Sequence, residues 1–438
     1  MNDDKEVRPS TESYKGVRDF YPKDMAIQQY IFDTWARVAE SFGFERYDAS
    51  ILEPSELYRA KSSEEIVNDQ TYTFTDRGDR EVTLRPEMTP TVARMVAGKR
   101  RELSLPLRWY SIPNLFRYER AQRGRLREHW QLNADIFGVH HENADVEIIL
   151  LASEVLQAFG AKESDFVIHI NNRQLMVNYF SERYGISDAN TIAHITRLFD
   201  QKNKIADSVF NDSLLPILSG SQEKLEQLRK DIELDVQDFV HLLNTEFNHS
   251  TLLQVKNALS ALGVSNVKFD ATLARGFTYY TGTIFEIFDT NPDNRRSLLG
   301  GGRYDNLTGL FGGDPIPAVG FGMGDVTMRD FLETHDLLTQ MPSSYTSAPT
   351  IMLVTENTTF IPTAEKLAQA LRTHGVRVGV NLGDKSIGEQ RKKAAEAGTL
   401  YTINVDALST SETFTAKNLC GGDDIYGSIH DIAKTLLT

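Results

Sequence analysis

The sequence predicts an α+β domain with an antiparallel sheet that carries a helical insertion, followed by a small C-terminal α/β domain. Three observations lead to this prediction. Short strand-like segments joined by turns fill the region up to about residue 138 and return after 264, whereas residues 174–264 show almost purely helical periodicity. Helices and strands then alternate after residue 350, which is typical of a largely parallel sheet.

The composition is that of a globular protein. The 438 residues are enough for two or three domains, with 40% hydrophobic and 25% charged residues and a formal net charge of −14. No apolar run is long enough for a membrane span, and the polar N-terminus does not resemble a targeting peptide. A single cysteine, Cys420, excludes an internal disulfide and a cysteine-based zinc site. We therefore expect a cytoplasmic protein, with no metal site made by protein ligands alone. The acidic balance argues only against nonspecific coating of nucleic acid.

The elements of the first domain are predicted from periodicity and turn residues. After a disordered tail (1–14), the domain (15–335) is expected to contain helices at 26–42, 89–96 and 145–160, with strands in YDASILEP, TYTFTD, EVTLRP, LRWYSIPNLFRYE and HWQLNADIFG. Further strands are expected within 267–289 and 299–321. Because the helical block at 174–264 interrupts a strand-rich domain, we interpret it as an insertion.

The C-terminal domain follows a segment rich in serine, threonine and proline. That segment, residues 336–349, is predicted to be a linker. The domain itself (350–438) is expected to contain strands at 351–354, 376–382 and 400–405 and helices at 362–374 and 386–397.

The segment with the strongest functional signal is residues 115–138, which we call the arginine hairpin. It places five arginines within eleven residues: Arg117, Arg120, Arg123, Arg125 and Arg127. An arginine fork matches two phosphate oxygens at once, so a bound anion would explain such a concentration of charge in an acidic protein. A solvated basic loop is the alternative for an isolated cluster.

The strand that follows the hairpin favours a binding site over a solvated basic loop. Its alternation places His129, Gln131, Asn133 and Asp135 on one face. A solvated strand does not need this set of side chains, whereas a pocket for a polar ligand does.

Three other segments add candidate residues. In TLRPEMTP, Glu87 could hold a substrate ammonium, and Thr89 could either bind substrate or merely cap the following helix. In LARGFTYYTG, Arg275 could face a carboxylate or phosphate, and Tyr279 and Tyr280 could bind a polar ring unless they only fill the core. The glycines of LLGGGRYDNL and AVGFGMG would allow a ligand to approach the backbone closely.

Together these segments resemble the histidyl-tRNA synthetases, which are class II aminoacyl-tRNA synthetases. KGVRDFYP (15–22) is similar to the family's N-terminal signature, and the helix and strand that end at Pro54 resemble motif 1, which forms the dimer. FRYERAQRGRLREHWQ resembles motif 2, and LARGFTYYTGTIFE with GGGRYDNL resembles the two histidine-specific segments. Residues 350–438, including DKSIGEQRKKAAEAGT, resemble the anticodon-binding domain.

The resemblance implies a role for each candidate residue. Arg117 and Arg275 would be catalytic, with Arg117 on the α-phosphate of ATP and Arg275 on both that phosphate and the histidine carboxylate. ATP would be bound by Arg117, Glu119, Arg125, Arg127 and His129. Histidine would be bound by Glu87, Thr89, Gln131, Asp135, Arg275, Tyr279 and Tyr280. Arg120 and Gln122, at the hairpin tip, would contact the tRNA acceptor end.

The reaction that the family carries out is the ATP-dependent ligation of L-histidine to tRNA(His) through a histidyl-adenylate. The resemblance therefore implies ATP with Mg²⁺ as a substrate, tRNA(His) as a partner and a homodimer. The helical insertion would contact the tRNA acceptor stem.

One departure from the family pattern leaves an alternative open. Class II motif 3 carries an arginine that reaches the tail of ATP, and here Thr327 stands at that position. Arg329 lies about 200° further around the helix and should not replace it directly. The chain is then either an enzyme with another cation at the γ-phosphate or a non-catalytic paralogue, the regulatory subunit of ATP phosphoribosyltransferase. The second class generally lacks an anticodon-binding domain, which favours the enzyme.

Overall fold

The structure, a computed structural model, describes residues 10–59, 70–202, 205–243, 250–274, 279–345, 348–406 and 412–437. Arg275 and the first nine residues of the predicted tail therefore lie outside the described residues. The chain divides into two compact units, one made of residues 1–19 and 28–341 and the other of residues 20–27 and 342–438. None of the helices in the described ranges is long and apolar enough to cross a membrane.

The first part of the larger unit alternates helices and strands. In chain order its elements are α1 (Pro22–Ser41), β1 (Glu45–Arg46), β2 (Leu52–Pro54), α2 (Glu56–Arg59), β3 (Tyr72–Thr75), β4 (Glu81–Leu84), α3 (Thr89–Gly98), β5 (Leu107–Ser111), β6 (Asn114–Phe116), β7 (Glu128–Phe137), α4 (Asn143–Ala158) and β8 (Phe166–Asn172). The apolar stripe predicted for α1 is buried at Ile31, Trp35 and Val38. Gly43 follows this helix with a positive φ of 78°, which explains why the helical pattern stops there.

The next block consists of helices, as its periodicity predicts. They are α5 (Arg173–Tyr184), α6 (Ala189–Gln201), α7 (Asp207–Ile217), α8 (Gln222–Asp231), α9 (Val236–His241) and α10 (Ser250–Ala261). Polar residues cap four of them, at Asn172, Asp188, Ser221 and Asp235. An aromatic core of this block's own, made of Tyr179, Phe180, Phe199, Phe210 and Phe239, packs the helices together.

The larger unit is completed by β9 (Val267–Phe269), β10 (Thr283–Asp289), β11 (Ser297–Arg303), β12 (Ala318–Gly324) and α11 (Asp325–Thr334). Its main sheet has the strand order β1-β5-β7-β12-β11-β10-β8-β9, and β6 pairs with β7 beside this path. Pairing is antiparallel except at the two ends, where β1–β5 and β8–β9 are parallel. The two segments on either side of the helical block thus join one sheet, with β8 paired to β10.

Helices and a small second sheet complete the surroundings of the main sheet. The helices α4 and α11 pack against β7 and β12. A three-stranded antiparallel sheet, β2-β4-β3, leads into α3. Within the predicted linker, Leu337 is buried at the start of a 3₁₀ turn, Leu337–Gln340, so this part of the segment is folded.

The smaller unit contains β13 (Ile351–Thr355), α12 (Ile361–Thr373), β14 (Val378–Val380), α13 (Ile387–Glu396), β15 (Tyr401–Val405), β16 (Phe414–Asn418), β17 (Ile425–Gly427) and α14 (Ile429–Leu437). Its sheet order is β14-β13-β15-β16-β17. The first three strands are parallel, as predicted, but β16 and β17 add an antiparallel hairpin that the sequence analysis missed. These short strands lie among glycine and polar residues, where alternation gives little signal.

Candidate active site

Glycines of β11 and β12 leave one face of the sheet without side chains at three positions close to β7 and Tyr280. A Cβ added to Gly320 would lie 2.0 Å from Oδ1 of Asp135, and one added to Gly322 would lie 2.6 Å from Cδ of Gln131. No real Cβ makes such contacts, so both positions must be glycine for the β7 side chains to lie where they do. We call Gly302, Gly320 and Gly322 the glycine floor.

The third glycine of the floor clears space for a tyrosine. A Cβ on Gly302 would lie 2.9 Å from Cδ1 of Tyr280 and 2.7 Å from the carbonyl oxygen of Thr283. The sequence analysis predicted a close approach of a ligand to these glycines. That approach stays a prediction, and the structure shows that side chains of the predicted pocket lie close to these glycines.

Above this floor, two hydrogen bonds and a ring contact connect residues from four segments. The Tyr279 hydroxyl donates to Oε2 of Glu87 at 3.0 Å. The Tyr304 hydroxyl donates to Oδ1 of Asp135 at 2.5 Å, and the rings of Tyr279 and Tyr304 meet edge to face at 5.8 Å. We call Glu87, Asp135, Tyr279, Tyr280 and Tyr304 the tyrosine pocket.

The tyrosine pocket brings together four of the residues predicted to bind histidine. Tyr304 was missed, although it lies in the quoted segment GGGRYDNL, because a tyrosine after a strand is most often a core residue. Its polar partner is the buried carboxylate of Asp135 on β7, which only the fold brings close to it across β12. Gln131 is half-buried at the rim of the pocket, beside Gly322.

The carboxyl of Asp135 is strongly perturbed by its surroundings in the pocket. Burial raises its pKa to about 7, although the hydrogen bond from Tyr304 acts in the opposite direction. Near neutral pH this carboxyl can therefore either accept or donate a hydrogen bond. An imidazole ring, which also carries one donor and one acceptor when neutral, is a suitable partner for it.

Thr89 is placed differently from the capping interpretation. The N-cap residue of α3 is Met88, no side chain caps the helix, and Thr89 is the first helical residue. The capping interpretation is therefore wrong, since a residue inside the first turn no longer occupies the position from which a side chain caps. Thr89 is half-buried, two residues after Glu87, and its role as a substrate-binding residue stays a prediction.

The arginine hairpin folds as its turn residues predict. The backbones of Gln122 and Arg125 bond to each other around a two-residue turn, in which Gly124 has a φ of 72°. Lower in the hairpin, the Arg117 amide donates to the carbonyl of Arg127 at 2.8 Å. The hairpin tip contacts α11, because the Gly124 amide bonds to the Asp330 carboxylate.

Arg117 links the arginine hairpin to the tyrosine pocket. Its Nε donates to the carbonyl oxygen of Pro86 at 2.8 Å, and Pro86 immediately precedes Glu87. The remaining guanidinium nitrogens of Arg117 make no hydrogen bond or ion pair within the described ranges. An anion bound by Arg117 would therefore lie next to a ligand in the tyrosine pocket.

Glu119 and His129 are the two residues predicted on the adenine side. The Glu119 carboxylate is buried, and its Oε2 lies 2.6 Å from Nε of Arg125. Burial lowers the pKa of His129 to about 3, and the positive charges of three arginines act in the same direction (Arg117, Arg18 and Arg125). The His129 ring is therefore neutral at physiological pH, and a neutral ring stacks on a base without repelling other cations.

Arg127 has structural partners. Its guanidinium lies 4.1 Å from the ring centroid of Tyr118, and it donates to the carbonyl of Glu119 and the hydroxyl of Tyr14, each at 3.1 Å. These contacts attach the N-terminal segment to the hairpin. The contacts of Arg127 with Tyr14, Tyr118 and Glu119 do not test its predicted contact with ATP. Arg120 and Gln122 are exposed near the tip, and their predicted tRNA contact likewise stays a prediction.

A buried carboxylate that the sequence analysis did not identify lies at the start of α11. Asp325 accepts hydrogen bonds from Nη2 of Arg18 at 2.6 Å, from Nε2 of Gln28 at 2.9 Å and from the Trp130 amide at 2.9 Å. Arg18 belongs to the segment KGVRDFYP, so this ion pair fastens that segment to the sheet beside His129. The sequence signal that could have indicated this ion pair is Arg18, the arginine of KGVRDFYP.

Thr327, at the motif 3 position, bonds to the backbone of the described residues around it. Its hydroxyl donates to the carbonyls of Leu298 at 3.1 Å and Gly324 at 3.2 Å. Arg329 donates to Oε1 of Glu333 at 2.8 Å on the same helix. Within the described ranges, no group of three or more His, Cys, Asp or Glu side chains could hold a metal ion.

Comparison with known proteins agrees with this geometry. A family model described as histidyl-tRNA synthetase matches residues 16–325, which include the glycine floor, the tyrosine pocket and the arginine hairpin, and a model described as anticodon binding domain matches residues 350–438. The chain belongs to the histidyl-tRNA synthetase family. This confirms the predicted family and the predicted fold class, and it makes the chain a ligase of the aminoacyl-tRNA synthetase type.

Several relatives are similar over almost their whole length. The protein from Leptospira biflexa, named histidine–tRNA ligase, is 41% identical over 99% of this chain and 98% of its own. The protein of the same name from Thermoplasma volcanium is 38% identical over 97% of this chain and 98% of its own. Among solved structures, histidyl-tRNA synthetase from Nostoc has a TM-score of 0.81 at 24% identity and covers 98% of this chain and 99% of its own. At that identity the structural likeness supports the fold alone.

Proposed function

We propose that this protein ligates L-histidine to tRNA(His) in two steps, through a histidyl-adenylate. The observation that carries the proposal is the junction at Pro86 and Glu87. There, the arginine predicted to bind the α-phosphate contacts the chain next to a carboxylate of the tyrosine pocket. A histidine and an ATP molecule bound at these two places would have their reacting groups side by side.

In the first step, a carboxylate oxygen of histidine attacks the α-phosphorus of ATP in line with the leaving group. The new bond joins histidine to AMP, and the bond to pyrophosphate breaks. No protein nucleophile is required, because the work consists of holding two anions together and offsetting negative charge on the phosphorus oxygens. Arg117 and Arg275 supply that positive charge in this proposal. In the second step, a terminal ribose hydroxyl of the tRNA attacks the histidyl carbonyl and AMP leaves.

Each half of the site has a separate task. Glu87 holds the substrate ammonium, and Asp135, Gln131 and the tyrosines surround the imidazole. Glu119 and the neutral His129 bind adenine, and Mg²⁺ enters with the ATP phosphates as part of that substrate. A pocket built to hydrogen-bond an imidazole rejects analogues that lack it by about 10⁴-fold or more, so no editing step is required.

The direct test is histidine-dependent exchange of pyrophosphate into ATP by the purified protein. We expect exchange with histidine, and we expect Arg275→Ala to lower its rate by about two orders of magnitude, since the loss of one such donor costs about 3 kcal/mol of barrier. If the folded protein shows no exchange with any amino acid, the proposal is wrong and the regulatory paralogue becomes the better interpretation. The match of residues 350–438 to an anticodon-binding domain supports the enzyme, because the regulator has no use for that domain.

The small sheet β2-β4-β3 supports a homodimer. One face carries buried polar residues, among them Glu53 and Thr83, while the opposite face exposes 46% of Leu52 and 47% of Phe74. A sheet with its apolar face towards solvent needs a partner, and the strand β2 of this sheet ends the segment that resembles motif 1. A second copy of the chain is the partner we propose. Sedimentation should show a dimer for the native protein and a monomer for Leu52→Asp with Phe74→Asp.

The same proposal includes the location of the protein and its contact with tRNA. Cys420 is exposed and unpaired, which suits a reducing compartment, and we place the protein in the cytoplasm. Contact of Arg120 and Gln122 with the tRNA acceptor end is part of the proposal, because both lie exposed near the hairpin tip.

A further inference from the structure

The motif 3 position of this chain lacks a cation, and the space beside it is filled by another residue. Thr327 uses its hydroxyl on the carbonyls of Leu298 and Gly324, and its methyl group faces the tip of the arginine hairpin. Gly124 at that tip has no side chain. The surroundings of Gly124 therefore show what lies where the family's arginine would begin.

Arg296 lies at this place. The point where a Cβ added to Gly124 would sit is 3.0 Å from Cδ of Arg296 and 3.3 Å from Cγ2 of Thr327. Arg296 immediately precedes β11, and Leu298, two residues later, receives the hydrogen bond from Thr327. The side chain of the arginine just before β11 thus passes the same glycine as Thr327, which stands at the motif 3 position.

The charges around Arg296 are unusual for an arginine. Burial and the positive charge of Arg125 lower its pKa, and the carboxylate of Glu119 acts in the opposite direction. Within the described residues the Arg296 guanidinium makes no ion pair or hydrogen bond. By contrast, Arg125 lies against Glu119 and Arg127 is held by two tyrosines. Because the Glu119 carboxylate is already paired with Arg125, a bound anion would stabilise the half-buried Arg296 guanidinium and its five donors beside that cation.

We propose that Arg296 binds the β- and γ-phosphates of ATP and replaces the cation that Thr327 does not provide. The inference rests on the proposed function, since it assigns a residue to the same nucleotide. The Arg296 side chain packs against Gly124 at the tip of the arginine hairpin. Its guanidinium also interacts electrostatically with Glu119 and Arg125, which are both predicted to bind ATP. It is a binding residue, and the proposal gives it no role in the second step.

The neighbouring arginine provides the matched control. Arg295 is exposed, whereas Arg296 is half-buried against Gly124. If Arg296 were only a solvated surface residue, the two arginines would be equivalent. Methionine keeps most of the aliphatic stem that packs on Gly124 and removes the charge, so Arg296→Met separates binding from packing.

The test compares the affinity for ATP with that for AMP, which lacks the β- and γ-phosphates. Calorimetry on Arg296→Met should show an ATP dissociation constant about 10- to 100-fold above that of the native protein, with AMP binding unchanged. Arg295→Met should bind both nucleotides as the native protein does. In the exchange assay the KM for ATP should rise in Arg296→Met while the KM for histidine stays the same. Transfer of histidine from a preformed adenylate to tRNA should be unaffected.

Two further variants keep the proposal open to contradiction. Arg296→Lys retains the charge and should keep most of the preference for ATP over AMP, even if Arg296→Met folds poorly. Thr327→Arg added to Arg296→Met should restore ATP affinity, because the new side chain starts beside the same glycine. Equal losses of ATP and AMP affinity in Arg296→Met, or no loss of either, would overturn the inference. A native protein that binds no ATP and performs no exchange would instead contradict the proposed function.

Discussion

The tyrosine pocket and the arginine hairpin meet at Pro86 and Glu87, but they are built in opposite ways. The pocket is buried, and its tyrosine hydroxyls already donate to Glu87 and Asp135. In the hairpin, several cations lie close together at half-exposed positions, with the Glu119 carboxylate among them. The pocket is therefore preorganised for a neutral ring, whereas the hairpin has a surplus of positive charge that a polyanion would neutralise.

The comparison suggests that shape specifies the amino acid and charge specifies the nucleotide. Shape depends on a glycine floor that tolerates no added atom. Charge depends on which arginines are already occupied by protein partners. The predictions below test each half separately.

The largest effect is expected at Arg117. Arg117→Met removes the guanidinium that we assign to the α-phosphate, so kcat for exchange should fall by about 10²- to 10³-fold. Arg123→Met is the matched variant in the same hairpin; Arg123 is exposed, has no predicted role in substrate binding and donates to the Thr334 hydroxyl at 3.4 Å, so its loss should leave exchange close to the native rate. Exchange kinetics and thermal unfolding of both variants provide the measurement. Similar exchange rates for the two would show that the hairpin arginines are not divided in this way.

A substitution in the glycine floor should reduce activity nearly as strongly. In Gly320→Ala the new methyl group would lie 2.0 Å from Oδ1 of Asp135, and displacing that side chain should lower kcat/KM for histidine by about 100-fold or more. The affinity for ATP should change little. Gly388→Ala, in α13, is the control, since a Cβ there meets nothing within 4 Å. Unaltered histidine kinetics in Gly320→Ala would contradict the role of the floor.

A smaller effect is expected at Tyr304. Tyr304→Phe leaves the buried Asp135 without its donor, so the KM for histidine should rise about tenfold. Tyr179→Phe removes a similar bond, at 2.7 Å to the buried Asp231 in the helical block, and should cost stability without changing the KM for histidine. Steady-state kinetics with varied histidine distinguish the two variants. An equal KM for Tyr304→Phe and the native protein would remove Tyr304 from the pocket.

The last prediction concerns stability and its dependence on pH. Burial raises the pKa of Asp135 from its ordinary value of 3.8 to about 7, so between these pH values the folded protein holds a proton that the unfolded chain releases. The free energy of unfolding should therefore fall as the pH rises from about 4 to about 7, and fall less in Asp135→Asn. Urea denaturation of both proteins at several pH values measures this difference. Parallel curves would show that Asp135 has no raised pKa.

How far the sequence could predict this site depended on whether a residue acts locally or through distant contacts. The turn at Gly124 and the shared face of Gln131 and Asp135 follow from local rules, and the sequence analysis identified them. Tyr304 needed knowledge of which strand lies beside β7, and the strand order β7-β12-β11 cannot be derived from periodicity. Arg296 was missed for the same reason, since only the folded chain brings it to Gly124.

The central claim is that one half of the site binds histidine and the other half binds ATP. Calorimetry with each ligand separately, on Asp135→Asn and Arg117→Met, tests it most directly. We predict that Asp135→Asn loses affinity for histidine and keeps its affinity for ATP, and that Arg117→Met shows the reverse. If either variant loses both ligands while its melting temperature is unchanged, or if the native protein binds neither, the two-part account is wrong.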